Sequence, residues 1–533
     1  MPLNSTRQYV LLLAVALNTA ASIADEPPAR LPDLPIGAGK TLLDGCTRPQ
    51  LSELAQSTDK FEKEPFGGLL LQVTKSFADE VFAARPLTED VERSALAHLN
   101  SIDFRRYKDN FIWVSLPPRT SHSEATCLWY DDARWLSILH NVQLAARIAK
   151  RGGLKGLFLD TEHRRTRLFS YRAPVRQLGV SYRVYCDQVR RRGHQVAMAL
   201  RGSYSDITLI LTMGTSAAAF ELNYEPDLPR AELSYSLLPA FVDGLLEAAP
   251  RKMRIVDGYR RAFHFTEYDE YVAAYNAIKR TSGQLSVSPK LYRDRISVAF
   301  GVNLPWHPDL ILEDTVHYAL STSERYVWLW SHHRDRKDPL SKLDRTRVFS
   351  ILNSRLARST AKPTPTSDLR EYWGLKSPHF YALKLKQQGF REVEVQQFGS
   401  ASDDEEPQSG VASFVPGASR SVSFDYRRTS MVLDLGTIQR IDAIQMYGGT
   451  FRPGNVRLDQ TNVSLYVSND NTTYRRIECT YREPGPHAIE LGGIQDPARY
   501  FKIANTIQDS SHKFGFTAGT DFGGARAFVK TTR

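Results

Sequence analysis

Between Pro65 and Trp330, short hydrophobic runs typical of strands alternate with longer amphipathic stretches typical of helices. The predicted strands are short and rich in β-branched and aromatic residues: Leu69–Val73, Phe111–Leu116, Leu157–Asp160, Ile207–Thr212, Arg254–Asp257, Ile296–Val302 and Tyr326–Trp330. The predicted helices carry apolar residues at helical spacing: Glu89–Leu99, Asp131–Lys150, Val175–Leu200, Ala231–Ala249, Glu267–Arg280 and Leu310–Ser323. Alternation of this length predicts βαβ units with parallel strands.

The number of strands favours a closed barrel over an open sheet. Phe241–Leu246 is a candidate eighth strand, although Pro239 and Pro250 equally bracket a helix there. A (β/α)₈ barrel of about 250 residues fits this count. No glycine-rich phosphate loop opens the first helix, which disfavours a dinucleotide-binding fold. The sequence therefore predicts an α/β fold with a TIM-type barrel over residues 65–360 as the candidate catalytic domain, and residues 25–64 as a leader that packs on it.

The pattern changes after the barrel region. Lys362-Pro-Thr-Pro-Thr366 interrupts the helical pattern and opens a predicted linker over residues 361–392. Beyond it the chain alternates apolar and polar positions in short runs separated by Gly, Asn and Asp: Met431–Gly436, Ile441–Met446, Val463–Val467 and Tyr500–Ile503. This spacing predicts an all-β domain over residues 393–533.

The first 24 residues have the features of a secretory signal peptide: a basic residue at Arg7, an apolar run over Tyr9–Leu17 and a small-x-small cleavage site at Ser22–Ala24. The apolar run is too short to span a bilayer, so we expect a secreted or periplasmic protein that does not insert into the membrane. Four cysteines permit three pairings, between which the sequence does not choose, and none lies at metal-ligand spacing.

The formal net charge of the 533-residue chain is +10. An excess of arginine is compatible with a polyanionic partner such as an acidic polysaccharide, or equally with solvated helix faces. No motif supports nucleic-acid binding.

The candidate chemistry lies at the ends of the predicted strands, where barrel enzymes place their active sites. Asp160 and Glu162 follow an apolar strand and, being two residues apart, should project from the same face. Paired carboxylates suit glycoside hydrolysis, although the two catalytic acids normally face each other across the sugar. We therefore expect Glu162 as the acid or base, Asp160 as its modulator, and Asp257 at another strand tip as the opposing carboxylate or a turn residue. Tyr259 is a candidate contact for a substrate hydroxyl.

Further candidate substrate-binding residues are Trp330 and His332 at the last strand, and Arg201, a candidate contact for an anionic group of a substrate. Trp330 offers a ring on which a sugar can stack, but it shares a face with Trp328, so at least one of the two should fill the core. His332 is followed by His333, and two adjacent histidines point in opposite directions on a strand. Since the sequence shows no third ligand for them, we expect no catalytic metal.

The C-terminal block resembles the discoidin, or coagulation-factor-5/8 type C, domain. The resemblance rests on segments in the usual order: Leu433–Gly436, Ile441 with Ile444, Tyr466–Tyr474 and Ala498–Lys502. It implies a jelly-roll sandwich whose loops bind carbohydrate, often with a structural Ca²⁺. Tyr447, Phe451, Arg452 and Phe514 lie on the corresponding loops and are candidate glycan contacts.

The barrel region resembles a group of secreted bacterial barrels described only as glycoside-hydrolase-like. The segments that carry the resemblance are Pro65–Leu69, Asn141–Arg147, Gly153–Glu162, Leu237–Gly244, Ile255–Tyr259 and Tyr326–Trp330. In that group an aromatic residue follows the Asp-x-Glu motif and Ser-Glu ends the last strand. Here His163 and Ser331-His332 take those places, so the resemblance also implies that this barrel can be altered or inactive.

Taken together, these features predict a glycoside hydrolase-like protein that acts on a polysaccharide and carries an appended glycan-binding domain. Two alternatives stay open. One is a glycan-binding protein whose barrel has lost a catalytic acid. The other is a polysaccharide lyase on an acidic glycan, with His332 or Tyr259 as the base. A serine hydrolase is excluded because the chain has no Gly-x-Ser-x-Gly elbow.

Overall fold

A computed structural model describes residues 40–116, 128–162, 167–171, 179–224, 228–304, 309–331, 385–386, 388–401, 413–414, 430–447, 463–485, 488–505 and 524–531. The chain divides into two compact units, one that contains the barrel strands and one that contains the antiparallel sheets. Within the described ranges, no helix is long and apolar enough to cross a membrane. The predicted signal peptide and most of the predicted linker lie outside these ranges.

Parallel strands form the first sheet. They are β1 (Thr41–Asp44), β2 (Gly68–Leu71), β3 (Phe111–Ser115), β4 (Gly156–Asp160), β5 (Thr208–Leu211), β6 (Arg254–Asp257), β7 (Ile296–Val298), β8 (Phe300–Asn303) and β9 (Tyr326–Trp330). Their order is β7-β6-β5-β4-β3-β2-β1-β9-β8. Only Ala299 separates β7 from β8, and its N–H donates to the carbonyl of Asp257 over 2.8 Å. β7 and β8 are therefore two parts of one strand that joins β6 to β9 and closes the barrel.

The helices between these strands confirm the predicted βα alternation. They are α1 (Leu51–Phe61), α2 (Phe77–Glu80), α3 (Glu89–Asn100), α4 (Asp132–Arg151), α5 (Tyr182–Ser203), α6 (Ser216–Tyr224), α7 (Leu238–Ala248), α8 (Tyr268–Lys279), α9 (Pro289–Arg295) and α10 (Asp309–Thr322). Short 3₁₀ turns occur at Arg230–Glu232, Arg260–His264 and Ser282–Leu285.

The eighth strand of the barrel differs from the sequence-based prediction. Phe241–Leu246 lies within helix α7, between the two prolines that the sequence analysis noted. Thr41–Asp44, predicted as part of a leader, is strand β1 and pairs with both β2 and β9. The barrel therefore begins before Pro65, because this segment supplies a strand of its wall.

The barrel interior is packed with side chains from alternate positions of the strands. Its buried residues are Leu43, Leu70, Ala78, Phe111, Trp113, Phe158, Ile210, Val256, Phe263, Ala299, Tyr326 and Trp328, and Trp330 packs against them at one end. Side chains alternate between the two faces of a strand. On each strand, a residue two positions from an interior residue therefore also faces inward. Asp160, two positions after Phe158 on β4, is one such residue.

The C-terminal sheets are antiparallel, and they confirm the predicted all-β domain. A five-stranded sheet has the order β10-β20-β14-β18-β17, and a six-stranded sheet has the order β12-β11-β13-β19-β15-β16. The strands are β10 (Phe390–Val393), β11 (Gln397–Ala401), β12 (Ser413–Phe414), β13 (Ser430–Gln439), β14 (Ala443–Tyr447), β15 (Val463–Ser468), β16 (Arg475–Ile477), β17 (Thr480–Gly485), β18 (Ala488–Gly492), β19 (Ala498–Asn505) and β20 (Gly524–Lys530). One buried cluster contains Leu433 and Phe501 from the six-stranded sheet and Ile444 and Leu491 from the five-stranded sheet, so the two sheets share a core.

Candidate active site

The Asp160–Glu162 motif lies at the carboxyl end of β4, at the mouth of the barrel. Asp160 faces inward and is only 2% exposed. Its Oδ1 accepts the N–H of Glu162 over 3.1 Å and the hydroxyl of Thr212 over 3.3 Å. Glu162 is partly exposed. The two carboxylates therefore project from one strand end, the buried one held by hydrogen bonds and the other open to solvent.

The two residues that follow strand β5 hold the backbone between the two acids. The N–H of Thr161 donates to Thr212 Oγ1 over 2.8 Å, and the Thr161 hydroxyl donates to the carbonyl of Met213 over 2.6 Å. The N–H of Met213 donates back to Thr161 Oγ1 over 3.0 Å. These contacts fix the backbone immediately before Glu162.

Arg260 contacts Glu162 directly. Its Nε forms an ion pair with Glu162 Oε1, and its guanidinium lies 5.1 Å from the centroid of the Phe263 ring. The backbone N–H of Arg260 donates to the carbonyl of Thr212 over 3.0 Å, which anchors the loop after β6. A neighbouring cation favours the ionised form of a carboxylate. Arg260 was not predicted from the sequence, although the residue comes three positions after the strand-end Asp257.

Asp257 faces away from the interior and is enclosed. Its carboxylate accepts the N–H groups of Gly214 (3.2 Å), Ser216 (3.3 Å) and Tyr259 (3.2 Å), and the Ser216 hydroxyl (2.9 Å). Burial raises the pKa of this carboxyl above its ordinary value. A Cβ at Gly214 would lie only 2.4 Å from Asp257 Oδ2, so this close approach requires glycine. The contacts assign Asp257 to holding the loops after β5 and β6.

The remaining sequence-based candidates are dispersed. Tyr259 has a positive φ of 33° and is buried, with its ring against Phe265 and Phe300. Arg201 is exposed near the end of α5, which leads back to the start of β5, so it lies at the opposite end of the barrel from Glu162. His332, Phe451, Arg452 and Phe514 lie outside the described residues, as does the side chain of Tyr447, whose backbone ends β14.

An aromatic platform, formed by the stacked rings of Trp113 and Trp330, lies at the same mouth of the barrel. The rings of Trp113 and Trp330 stack with centroids 5.5 Å apart, and Trp113 stacks on Phe158 at 5.0 Å. The guanidinium of Arg48 lies 4.3 Å from the Trp330 ring and 5.0 Å from the Trp113 ring. Trp328 is buried, and its indole N–H donates to the carbonyl of Gly258 over 2.8 Å. Of the two tryptophans on β9, Trp328 therefore fills the core and Trp330 reaches solvent.

Carboxylates are absent from the other inward-facing strand ends that the structure describes. These positions carry Gly45, Gln72, Ser115, Thr212, Gly258, Asn303 and Trp330. The described residues also contain no group of three or more His, Cys, Asp or Glu side chains that could hold a metal ion. Within the described part of the mouth, Asp160 and Glu162 are thus the only inward-facing acids at a strand end.

No protein-family model and no curated protein sequence matches this chain. Among solved structures, a β-mannanase from the blue mussel Mytilus edulis is 13% identical, with a TM-score of 0.35, over 63% of this chain and 100% of that chain. A GH5-4 broad specificity endoglucanase from an uncultured bacterium is 9% identical, with a TM-score of 0.37, over 61% of this chain and 95% of that chain. The C-terminal domain of a chitobiase from Bacteroides fragilis is 13% identical, with a TM-score of 0.15, over 27% of this chain and 94% of that chain. Similarity at this level establishes no activity for this chain.

Proposed function

We propose that this chain is an exported protein of the glycoside-hydrolase type that acts on a polysaccharide, with Glu162 as the reacting carboxylate. The observation that carries the proposal is the inward-facing Asp160–Glu162 pair at the carboxyl end of a barrel strand. The carboxyl ends of the strands are where TIM-type barrels place their chemistry. Carboxylates are the groups that glycosidic bond cleavage uses.

The contact with Arg260 suits Glu162 to the role of nucleophile or base, because both roles use the ionised carboxylate. Asp160, buried beside it, positions Glu162 through the hydrogen bond from the Glu162 N–H. Asp257 does not serve as the opposing acid in this proposal, since its carboxylate is enclosed among four donors. The proton donor of a two-carboxylate reaction then has to come from outside the described strand ends.

Substrate binding at the mouth relies on Trp330. Sugar rings pack their C–H faces against aromatic side chains, and Trp330 is the platform ring that reaches solvent. Trp113 is buried, and its ring stacks against the ring of Trp330.

The C-terminal sandwich is, in this proposal, a discoidin-like glycan-binding domain that keeps the barrel near its polymer. A tether of this kind raises the effective concentration of substrate without new catalytic contacts. Tyr447, Phe451, Arg452 and Phe514 are its proposed glycan contacts, and a structural Ca²⁺ in its loops belongs to the same proposal.

A second candidate function is that of a glycan-binding protein without catalysis. It is favoured by one specific observation: the described inward-facing strand ends other than β4 carry no carboxylate that could act across the sugar from Glu162.

Incubating the full chain with soluble mannan, mixed-linkage β-glucan, xyloglucan and polygalacturonate separates these functions. The proposed hydrolase releases reducing ends without a gain in ultraviolet absorbance. A gain in absorbance identifies an unsaturated product and contradicts hydrolysis in favour of a lyase. Retardation of the chain in a gel that contains one of these polymers, with no product from any of them, supports the binding protein.

A further inference from the structure

Asn303, the last residue of β8, faces the barrel interior at its mouth. Ala299, four positions earlier, belongs to the interior cluster. A Cβ on Gly301 would lie 2.6 Å from Phe263 and 2.7 Å from Trp328, so position 301 also faces that interior. Asn303 continues this alternation by one step and exposes 0% of its surface.

Among the residues that the structure describes, the side-chain amide of Asn303 finds no hydrogen-bond partner at either Oδ1 or Nδ2. Other buried asparagines of the barrel are satisfied. Asn110 accepts the N–H of Leu69 over 2.9 Å and donates to the carbonyl of Tyr107 over 2.9 Å. Burying an amide without partners costs free energy that an apolar side chain of similar size would avoid. The described residues supply no partner for this amide, and its place at the barrel mouth makes a bound ligand the candidate partner.

The position of Asn303 relates it to the proposed site. In the sheet, Asn303 pairs in register with Trp330, the solvent-reaching ring of the aromatic platform. Strands β5 and β6 separate β4 from the strand formed by β7 and β8. Asn303 and Glu162 thus lie on different sides of the mouth, with the platform adjacent to Asn303.

We propose that Asn303 is a substrate-binding residue that recognises neighbouring hydroxyl groups of an uncharged sugar ring. This inference rests on the proposed function of the barrel. An amide presents one acceptor and two donors side by side, which matches two adjacent hydroxyls, each of which donates and accepts. A uronate at this position would require a cation. Arg260 pairs with Glu162, whereas Arg48 lies on the Trp113 and Trp330 rings beside Asn303, so binding of a uronate is the alternative that the test has to exclude.

Because Asn303 is fully enclosed, the proposal requires neighbouring side chains to move as the sugar enters. Trp330 is the register neighbour that reaches solvent, so a ring that stacks on it is delivered next to the amide.

The test compares wild type, Asn303→Leu, the smaller Asn303→Ala and the control Asn110→Leu, all as the full chain. Titration calorimetry measures binding of mannohexaose, cellohexaose and hexagalacturonate, and thermal unfolding gives the Tm. We expect wild type to bind a neutral hexaose, and both Asn303 variants to bind it about 3- to 10-fold more weakly, the loss for one group's hydrogen bonds. Asn303→Leu should keep or raise the Tm, whereas Asn110→Leu should lower it.

Three results would overturn the inference while leaving the proposed function intact. These are unchanged affinity in both Asn303 variants, a fall in Tm for Asn303→Leu equal to that of Asn110→Leu, and a wild type that binds hexagalacturonate alone. A wild type that binds none of the three oligosaccharides overturns the proposed function, and with it the sugar partner assigned to Asn303.

Discussion

At the scale of single residues, Asp257 shows how an acid at a strand end can serve the architecture. Four donors from two loops converge on its carboxylate, and one of them, the N–H of Ser216, belongs to the first residue of α6. A carboxylate near a helix N-terminus is also favoured by the helix dipole. The side chain therefore ties the loop after β5 to the loop after β6, which carries Arg260 to Glu162.

We predict that Asp257→Asn destabilises the fold by about 1–3 kcal/mol, because the amide NH₂ would face backbone N–H groups that lose their acceptor. Urea unfolding monitored by circular dichroism measures the change. Asp90→Asn is the matched control: Asp90 is exposed and pairs with the equally exposed Arg93, so the change in stability should fall within about 0.5 kcal/mol. Equal stabilities for the two variants would contradict the assigned role.

The raised pKa of the Asp257 carboxyl gives its stability contribution a direction with pH. A group whose folded pKa is raised stabilises the fold fully below its unfolded pKa, about 3.9 for aspartate, and loses this contribution as pH rises through the folded pKa. The stability advantage of wild type over Asp257→Asn should therefore be larger near the unfolded pKa than at neutral pH. Urea unfolding of both proteins at several pH values between about 3.9 and neutrality measures this advantage. An advantage that grows with pH would show that the four hydrogen-bond donors lower the pKa of the Asp257 carboxyl instead.

At the scale of elements, the barrel wall accommodates large rings because one facing position is glycine. Trp328 packs edge-on against Phe158 and Phe263, with centroids 5.1 Å away in both cases. Gly301 on the neighbouring strand β8 leaves the space for these rings.

We predict that Gly301→Ala costs about 1–3 kcal/mol of stability by overpacking the interior. Gly202→Ala is the matched substitution: Gly202 lies in α5, and a Cβ there would meet nothing within 4 Å. It should raise stability by about 0.5–1 kcal/mol, the helical preference of alanine over glycine. Denaturant midpoints of both variants decide the matter, and a Gly301→Ala variant as stable as wild type would mean that the rings shift freely.

The elements also show what the sequence could predict. β4 was predictable because its short apolar run ends sharply at two acids. The helices α3 and α4 were predictable because their apolar residues recur at helical spacing over several turns. β1 was missed because the strand–helix alternation was recognised only from Pro65 onward and Thr41–Asp44 was assigned to the leader, although β2, β5 and β6 are equally short. Phe241–Leu246 was ambiguous because a short apolar run suits a buried helix as well as a strand.

At the scale of the whole molecule, a parallel barrel comes first along the chain and antiparallel sheets follow. This order was predictable because the hydrophobic pattern changes from strand–helix alternation to short strands near residue 362. The site depends instead on contacts between residues distant in sequence. Arg260 reaches Glu162 across 98 positions, and the unpartnered amide of Asn303 emerges only once the barrel closes. Patterns along the chain locate strand ends, but they do not show which neighbour each side chain meets.

The role of Glu162 is tested by measuring turnover by Glu162→Gln on the polysaccharide that wild type cleaves, read as reducing ends. Glu247→Gln is the control, because Glu247 also pairs with an arginine, Arg190, at similar exposure, but lies near the end of α7, at the opposite end of the barrel. We predict a loss on the order of 10²- to 10⁴-fold for Glu162→Gln and wild-type turnover for Glu247→Gln. Equal turnover by Glu162→Gln and wild type, or no cleavage of any polysaccharide by wild type, would contradict the assignment of Glu162 as the reacting carboxylate.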